Sequence, residues 1–183
     1  MAQAGFTLVE VMISIAILAI VLALAMPVFG DWLLNAQIRT ASESLESGLQ
    51  QARNEAVRRN AAVEFHLTDT ASGWEIRLPG GATLAARPSS EGTPKVVLTT
   101  VPSAATIVTF DGMGRRSGSN GLTTICVDLD SSVMSASKTR DLELDIGMGG
   151  TVRMCDPKVS SSTDTRVCEA VVLTGNHPIC SSP

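Results

Sequence analysis

The sequence predicts an α+β fold in which one long N-terminal helix packs on an antiparallel β-sheet domain. An apolar run over residues 5–27 is followed by an amphipathic repeat that reaches about residue 60. After residue 60 the pattern changes to short alternating segments separated by turn residues, which is typical of antiparallel strands. The apolar stripe of the helix is then expected to cover one face of the sheet.

The first half of this helix is apolar enough to enter a membrane. The run GFTLVEVMISIAILAIVLALAMP is about as long as a helix that crosses the hydrocarbon core. Its one carboxylate, Glu10, costs roughly 2.5 to 3.5 kcal/mol at the bilayer centre, so such a charge usually marks a function or a partner. Two alternatives are a plain membrane anchor, which leaves Glu10 unexplained, and a secretory signal cleaved near Ala23-Leu24-Ala25. A signal is disfavoured because no Lys or Arg precedes the run.

The second half of the helix is amphipathic. Pro27 removes a backbone donor and crowds the preceding turn, so it predicts a kink or a turn, after which the helix resumes. Gly48 weakens the helix slightly, and its end is expected near Asn60. The apolar stripe consists of Leu34, Ile38, Ala41, Leu45, Leu49, Ala52 and Ala56. The opposite face carries Arg39, Glu43, Glu46, Gln50, Arg53 and Arg58.

The remaining chain predicts a series of strands. The segments AVEFHLT and WEIRLP flank turn residues 69–73 and predict a β-hairpin. Residues 80–94 are rich in Gly, Pro and Ser and predict a loop. Further strands are expected over residues 95–100, 105–111, 122–129, 141–146, 151–155 and 167–173.

The composition indicates one modest domain beside the helix. The 183 residues carry a formal net charge of −4 with a pI of about 5.1, so the overall charge does not attract nucleic acid. Only 3% of the residues are aromatic and there is no Tyr, so the core is expected to rest on Val, Ile, Leu and Ala.

Four cysteines lie in the C-terminal third: Cys126, Cys155, Cys168 and Cys180. None forms a C-x-x-C pair and no His stands at a metal-binding spacing, so no metal site is predicted. Their even number in an exported domain indicates two disulfides formed in an oxidising compartment. Of the three pairings that four cysteines allow, we favour Cys126 with Cys155 and Cys168 with Cys180.

No constellation of residues indicates catalysis. His66 in a strand and His177 in a turn have no nucleophile or carboxylate placed beside them by spacing, so both are interpreted as structural. The alternation from Asp141 to Asp145 puts three carboxylates on one strand face. A solvated face is expected there, as for Asp128 and Asp130, rather than a calcium site. We therefore predict a protein that is not an enzyme and has no cofactor and no small-molecule substrate.

An alternative function concerns DNA. Arg115 and Arg116 lie on the glycine-rich stretch FDGMGRRSG, where guanidinium groups and backbone amides could meet phosphate. An ordinary solvated hairpin turn is the competing interpretation. The acidic net charge and the few aromatic rings disfavour DNA.

The residues Gly5-Phe6-Thr7-Leu8-Val9-Glu10 resemble the processing site of the type IV pilin family. The resemblance implies that prepilin peptidase cleaves between Gly5 and Phe6 and that Phe6 becomes N-methylated. It also implies that Glu10 docks subunits, because a carboxylate and the N-terminal ammonium of a neighbour can neutralise each other in lipid. One departure from the family pattern is that residues 1–5 contain no Lys or Arg.

Within that family the chain is similar to minor pilins of the FimT/FimU type, which are related to the GspH pseudopilin. The similar segments are residues 25–29, 47–60, FDGMGR and VRMCDP. The resemblance implies the pilin fold and a tip complex that primes pilus assembly, with other minor pilins, the major pilin, prepilin peptidase and the inner membrane as partners. It leaves a type II secretion pseudopilin as an alternative. Some FimT-type members bind DNA through a basic C-terminal motif, and residues 176–183 contain no Arg or Lys.

The expected organisation follows from these parts. Residues 1–5 form the leader, 6–29 the transmembrane and polymerisation helix, 30–60 the amphipathic helix and 61–183 a periplasmic β-rich domain. The protein is expected to cross the inner membrane once and to become extracellular when it joins a pilus.

Overall fold

The computed structural model describes residues 7–91, 93–118, 121–159, 161 and 163–168, with residues 27 and 28 described as backbone only. Helix α1 spans Leu8–Arg59. The strands are β1 Val63–Leu67, β2 Trp74–Arg77, β3 Thr83–Arg87, β4 Val96–Val101, β5 Ile107–Phe110, β6 Arg116–Ser117, β7 Thr124–Leu129, β8 Leu142–Ile146 and β9 Val152–Cys155.

Both ends of α1 are capped by residues of the chain. Thr7 is the N-cap, and its hydroxyl accepts a hydrogen bond of 3.3 Å from the backbone N–H of Glu10. The helix ends at Arg59, so the predicted end near Asn60 is confirmed, and Asn60 caps it in a left-handed conformation with φ 48°. The helix continues through Pro27, so no turn opens there. A kink at Pro27 stays a prediction.

The strands form two antiparallel sheets. The first has the order β3-β2-β1-β5-β6 and the second the order β4-β7-β8-β9. The predicted hairpin is confirmed, since β1 pairs with β2 with Phe65 opposite Ile76. Strand β3 lies in the segment predicted as a loop, and β6 in the segment predicted as a turn. Most of the predicted strand 167–173 lies outside the described residues.

The core forms between α1 and the two sheets. All members of the predicted apolar stripe from Ile38 to Ala56 are fully buried, and Leu34 is partly buried. The rings of Phe65 and Trp74 stack with centroids 5.8 Å apart, and the indole of Trp74 donates to the hydroxyl of Ser44 on α1. The predicted α+β fold, a long helix packed on antiparallel sheet, is therefore confirmed.

The disulfide pairing differs from the one predicted. Cys155 is bonded to Cys168, so both favoured pairs, Cys126–Cys155 and Cys168–Cys180, are wrong. Cys126 lies on β7 and Cys155 on β9, and both face Glu143 on the intervening strand β8. Two strand spacings of about 4.8 Å are too far for a disulfide. Cys126 is also disulfide-bonded, and Cys180 lies outside the described residues.

The chain after β9 turns back on itself. Val167 forms a parallel bridge with Asp156, which brings Cys168 beside Cys155 with a Cα separation of 5.1 Å. This turn between residues 156 and 168 is the reason that the bond closes locally.

Candidate assembly surfaces and their support

The first candidate surface is the N-terminal part of α1. Residues Leu8–Met26 form one candidate membrane span with a mean hydropathy of 2.8, and none of it is buried in the protein. Glu10 is the only charged residue in this span, and it is exposed in the first turn of the helix. Gly5 and Phe6 lie outside the described residues. Glu10 therefore lies on an apolar helix surface against which no other described part of the protein packs.

The helix is oriented against the domain by a loop that connects β7 with β8. Asn35 accepts a hydrogen bond of 2.8 Å from the backbone of Arg140 and donates to the carbonyl of Lys138. The ammonium of Lys138 lies 3.0 Å from the carboxylate of Asp31. These contacts fix the helix at the point where it leaves the domain.

The sequence predicted a solvated face for the carboxylates on β8. The structure shows that this prediction is wrong. Asp141 and Glu143 are almost completely buried. Asp141 pairs with the ammonium of Lys158 at 3.0 Å, and Lys158 also donates to the carbonyls of Ala136 and Thr139. The turned-back segment after β9 covers this face, which is why the expectation of solvent exposure was wrong.

Burial changes the acidity of both groups. Loss of hydration and the neighbouring charge of Asp145 raise the pKa of Glu143 to about 8. Burial and the nearby carboxyl of Asp128 raise the pKa of Asp141. Glu143 also lies beside Cys155 and Cys168. These two cysteines offer no thiolate to a metal because they are joined in a disulfide.

The glycine-rich turn that carries Arg115 and Arg116 is held by internal contacts. Arg115 pairs with Asp111, whose carboxylate also accepts the backbone N–H groups of Met113 and Arg115. These hydrogen bonds, led by the one from the Arg115 backbone, hold the pKa of Asp111 below its usual value. Arg116 donates to the sulfur of Met148, in the turn before β9. Each arginine thus has a partner within the protein.

The two turns at this end touch each other and the helix. Arg53 on α1 donates to the carbonyl of Gly114 at 3.0 Å. Gly114 and Gly150 both have a φ of 75°, and a Cβ on Gly150 would collide with the carbonyl oxygen of Gly114. Glycine is required at Gly150 because both the backbone conformation and the close approach exclude a side chain.

His66 and Arg153, which the sequence singled out, both make contacts within the protein. His66 is buried on β1, where its ring contacts the carboxylate of Glu64 and the guanidinium of Arg77. Arg153 donates to the carbonyls of Thr165 and Val167. His177 lies outside the described residues.

Comparisons with known proteins identify the family. The model of the family described as type II transport protein GspH matches residues 41–150. The model of the prokaryotic N-terminal methylation motif matches residues 1–26. The chain belongs to the GspH family. The resemblance noted in the sequence is therefore confirmed, and the long helix packed on antiparallel sheet is the α+β fold that it implied.

Solved structures similar to this GspH-family chain are two crystal forms of the type IV minor pilin FimU of Pseudomonas aeruginosa strain PAO1. One is 20% identical with a TM-score of 0.48, and the match covers 69% of this chain and 94% of that chain. The other is 21% identical with a TM-score of 0.47, covering 68% and 97%. No curated protein matches the sequence.

The structural roles of two residues of this GspH-family protein, Lys158 and Gly48, were not predicted from the sequence. Lys158 has no periodic pattern around it, and only the turned-back segment brings it to Asp141. Gly48 was interpreted as a weak point of the helix. In the structure a Cβ at Gly48 would lie 2.9 Å from both Phe65 and Trp74, so glycine permits the helix to contact the aromatic pair. A glycine inside an otherwise amphipathic stripe was the signal available for this contact.

Proposed function

We propose that this GspH-family protein is a minor pilin of a type IV pilus, incorporated in a tip complex that initiates pilus assembly. The observation that carries the proposal is the division of α1 into two parts. Its first part, Leu8–Met26, is exposed and apolar with one carboxylate, whereas its later apolar stripe is buried under two sheets. A helix that is bound to its own domain at one end and uncovered at the other is suited to packing among the helices of other subunits.

Processing is part of this proposal. Prepilin peptidase removes residues 1–5, and Phe6 is N-methylated and retains a positive charge. Residues 6–29 then lie in the inner membrane, and the β-rich domain, 61–183, lies in the periplasm on the amphipathic helix 30–60. The methylation-motif match to residues 1–26 supports this organisation.

Assembly follows from charge neutralisation in lipid. Glu10 of one subunit pairs with the N-terminal ammonium of its neighbour, since neither charge is stable alone in an apolar environment. Such contacts join two different surfaces and do not close into a ring, so they produce a filament. The partners are other minor pilins and the major pilin.

A second candidate is a pseudopilin of a type II secretion system. The description of the matching family as a type II transport protein favours it. Both candidates use the same helix and the same Glu10 contact. They differ in the phenotype of a deletion strain, which loses surface pili in the first case and secretion of exported enzymes in the second.

DNA binding through Arg115 and Arg116 is the least favoured of the three candidate functions. A phosphate would have to compete with the carboxylate of Asp111 for Arg115. Retention of duplex DNA by the purified protein, compared with an Arg115→Gln/Arg116→Gln variant, tests it.

The proposed function is tested by Glu10→Gln in the native host. We expect this variant to be cleaved at Gly5 and to remain in the membrane, because the peptidase site is intact. Its amount in sheared pili should fall by about tenfold or more, corresponding to ~1.4 kcal/mol of lost docking energy. Glu43→Gln is the matched control, because Glu43 is an exposed carboxylate on the same helix.

Two results would contradict the proposal. One is incorporation of Glu10→Gln at the level of the unchanged protein. The other is a mature chain whose intact mass shows that it does not begin at methylated Phe6.

A further inference from the structure

An exposed apolar patch lies where the C-terminal end of α1 meets two turns of the sheet domain. It consists of Val57 on α1, Met113 in the turn after β5 and Met148 in the turn before β9, and we call it the distal patch. These residues are 51%, 71% and 70% exposed. Contacts join the three elements, since Val57 lies against Gly114 and Arg116 donates to the Met148 sulfur.

The position of the distal patch excludes a lipid surface as its occupant. At a rise of 1.5 Å per residue, Val57 lies about 45 Å along the helix from Met26, where the candidate span ends. A partner at this end is therefore in the aqueous phase.

The charge around the distal patch is opposite to that of the whole protein. Residues 53–59 and 111–116 contain five arginines and two carboxylates, whereas the chain has a net charge of −4. This end is therefore a positive surface on an acidic protein. Surfaces of this kind select partners that present negative charge.

The chemistry of the distal patch favours a protein over a nucleic acid. Methionine side chains are unbranched and polarizable, and they adapt to the apolar groups of a partner. They offer nothing to a phosphate backbone, which is bound by cationic groups. The neighbouring side chains of Arg58 and Arg115 are 66% and 60% exposed, so beside their partners Glu55 and Asp111 they still present positive charge to solvent and form a rim around an apolar centre.

We propose that the distal patch is the docking surface for a neighbouring pilin-like subunit that presents an apolar side chain flanked by carboxylates. This inference rests on the proposed function, because a subunit must join a filament for its distal end to meet another subunit. Glu10 and the apolar helix then supply the contact in the membrane, and the distal patch supplies a contact outside it that distinguishes among neighbours.

The test is photo-crosslinking of the full chain in its native host. A photoreactive phenylalanine analogue replaces Met113 in one strain and Trp32, which is exposed on α1, in another. The probes are the host subunits that carry the same N-terminal methylation motif, each with an epitope tag. We expect crosslinks to tagged subunits from both positions.

The outcomes separate the two proposals. Crosslinks from position 32 but not from position 113 would overturn the docking surface and leave the proposed function in place. Crosslinks from neither position would overturn both. Crosslinks from position 113 to duplex DNA in place of a tagged subunit would also overturn the docking surface.

A pair of charge variants tests the role of the arginines. Arg115→Gln should lower the crosslink yield from position 113 by about fivefold, as expected for the loss of one favourable surface charge contact. Arg39→Gln is the matched control, because Arg39 is also exposed and paired with a carboxylate four residues away. Equal losses in the two variants would overturn the charge complementarity on which the proposal depends.

Discussion

At the residue scale, Glu143 combines complete burial with two acidic neighbours. Its carboxyl lies on β8 between β7 and β9, with Asp145 on the same strand and Asp141 on the same face. Lys158 pairs with Asp141. Because burial removes water from the carboxylate and Asp145 adds a negative charge beside it, the neutral acid is favoured and the pKa of Glu143 rises to about 8.

This pKa predicts a dependence of stability on pH. The ordinary pKa of 4.5 rises to about 8 on folding, so the folded chain holds a proton that the unfolded chain releases between these values. The contribution of Glu143 is full below pH 4.5 and is lost as the pH rises through 8. The free energy of unfolding should fall by up to about 1.4 kcal/mol per pH unit in this window.

Urea denaturation at pH 5 and pH 8 in detergent measures this effect. Glu143→Gln should be less sensitive to the change in pH than the unchanged protein, because a neutral amide replaces the titrating acid. Glu43→Gln, which changes an exposed carboxylate, should keep the full dependence. The same change in the free energy of unfolding with pH in both variants would contradict the assignment to Glu143. The raised pKa of Asp141 adds a pH dependence of the same sign.

At the element scale, α1 has two glycines with different surroundings. Gly48 faces the stacked rings of Phe65 and Trp74, whereas nothing lies within 4 Å of a Cβ built on Gly30. Both glycines lower the intrinsic helix stability, so only the environment distinguishes them. The close approach at Gly48 brings the helix onto β1 and β2.

Gly48→Ala is therefore expected to destabilise the protein despite a better helix propensity. Overpacking against two buried rings costs about 1–3 kcal/mol, which exceeds the roughly 0.5–1 kcal/mol gained from propensity. Gly30→Ala should be neutral or stabilising. Thermal unfolding followed by circular dichroism in detergent compares the two, and a higher melting temperature for Gly48→Ala would contradict the packing argument.

At the scale of the whole molecule, the segment after β9 closes the second sheet. The Cys155–Cys168 bond holds this segment, and Lys158 within it contacts the loop between β7 and β8. That loop in turn contacts α1 through Asn35. The disulfide thus stabilises a series of contacts that runs from the segment after β9, through the loop between β7 and β8, to α1.

Removing this bond should loosen the whole chain of contacts. A loop of this length contributes about 3 kcal/mol through the restriction of the unfolded state. The Cys155→Ser/Cys168→Ser variant is expected to melt at a lower temperature and to exchange amide hydrogens faster over residues 134–141.

Peptide mapping without reduction should recover a fragment that joins Cys155 to Cys168 in the unchanged protein. A fragment that joins Cys126 to Cys155 would contradict the structure.

The elements of this protein followed from local patterns. The stripe from Ile38 to Ala56 predicted which side of α1 is buried, and alternation predicted the β1–β2 hairpin. Strand β3 escaped prediction because its sequence, TLAAR, lies among glycine and proline residues and depends on pairing with β2. The helix start was not predicted, although Thr7 caps the helix and Glu10 follows three residues later, which is the spacing of a capping box.

The sequence by itself determined the helix, its apolar first half with Glu10, and the family resemblance, because these depend on residues close together in the chain. Only the tertiary structure decided the burial of Glu143, the Cys155–Cys168 pairing and the contacts of Arg115 and Arg116. Each of these depends on segments that approach from distant positions. The turn after β9 excludes water from one face of a sheet whose alternation, taken alone, predicted a solvated surface.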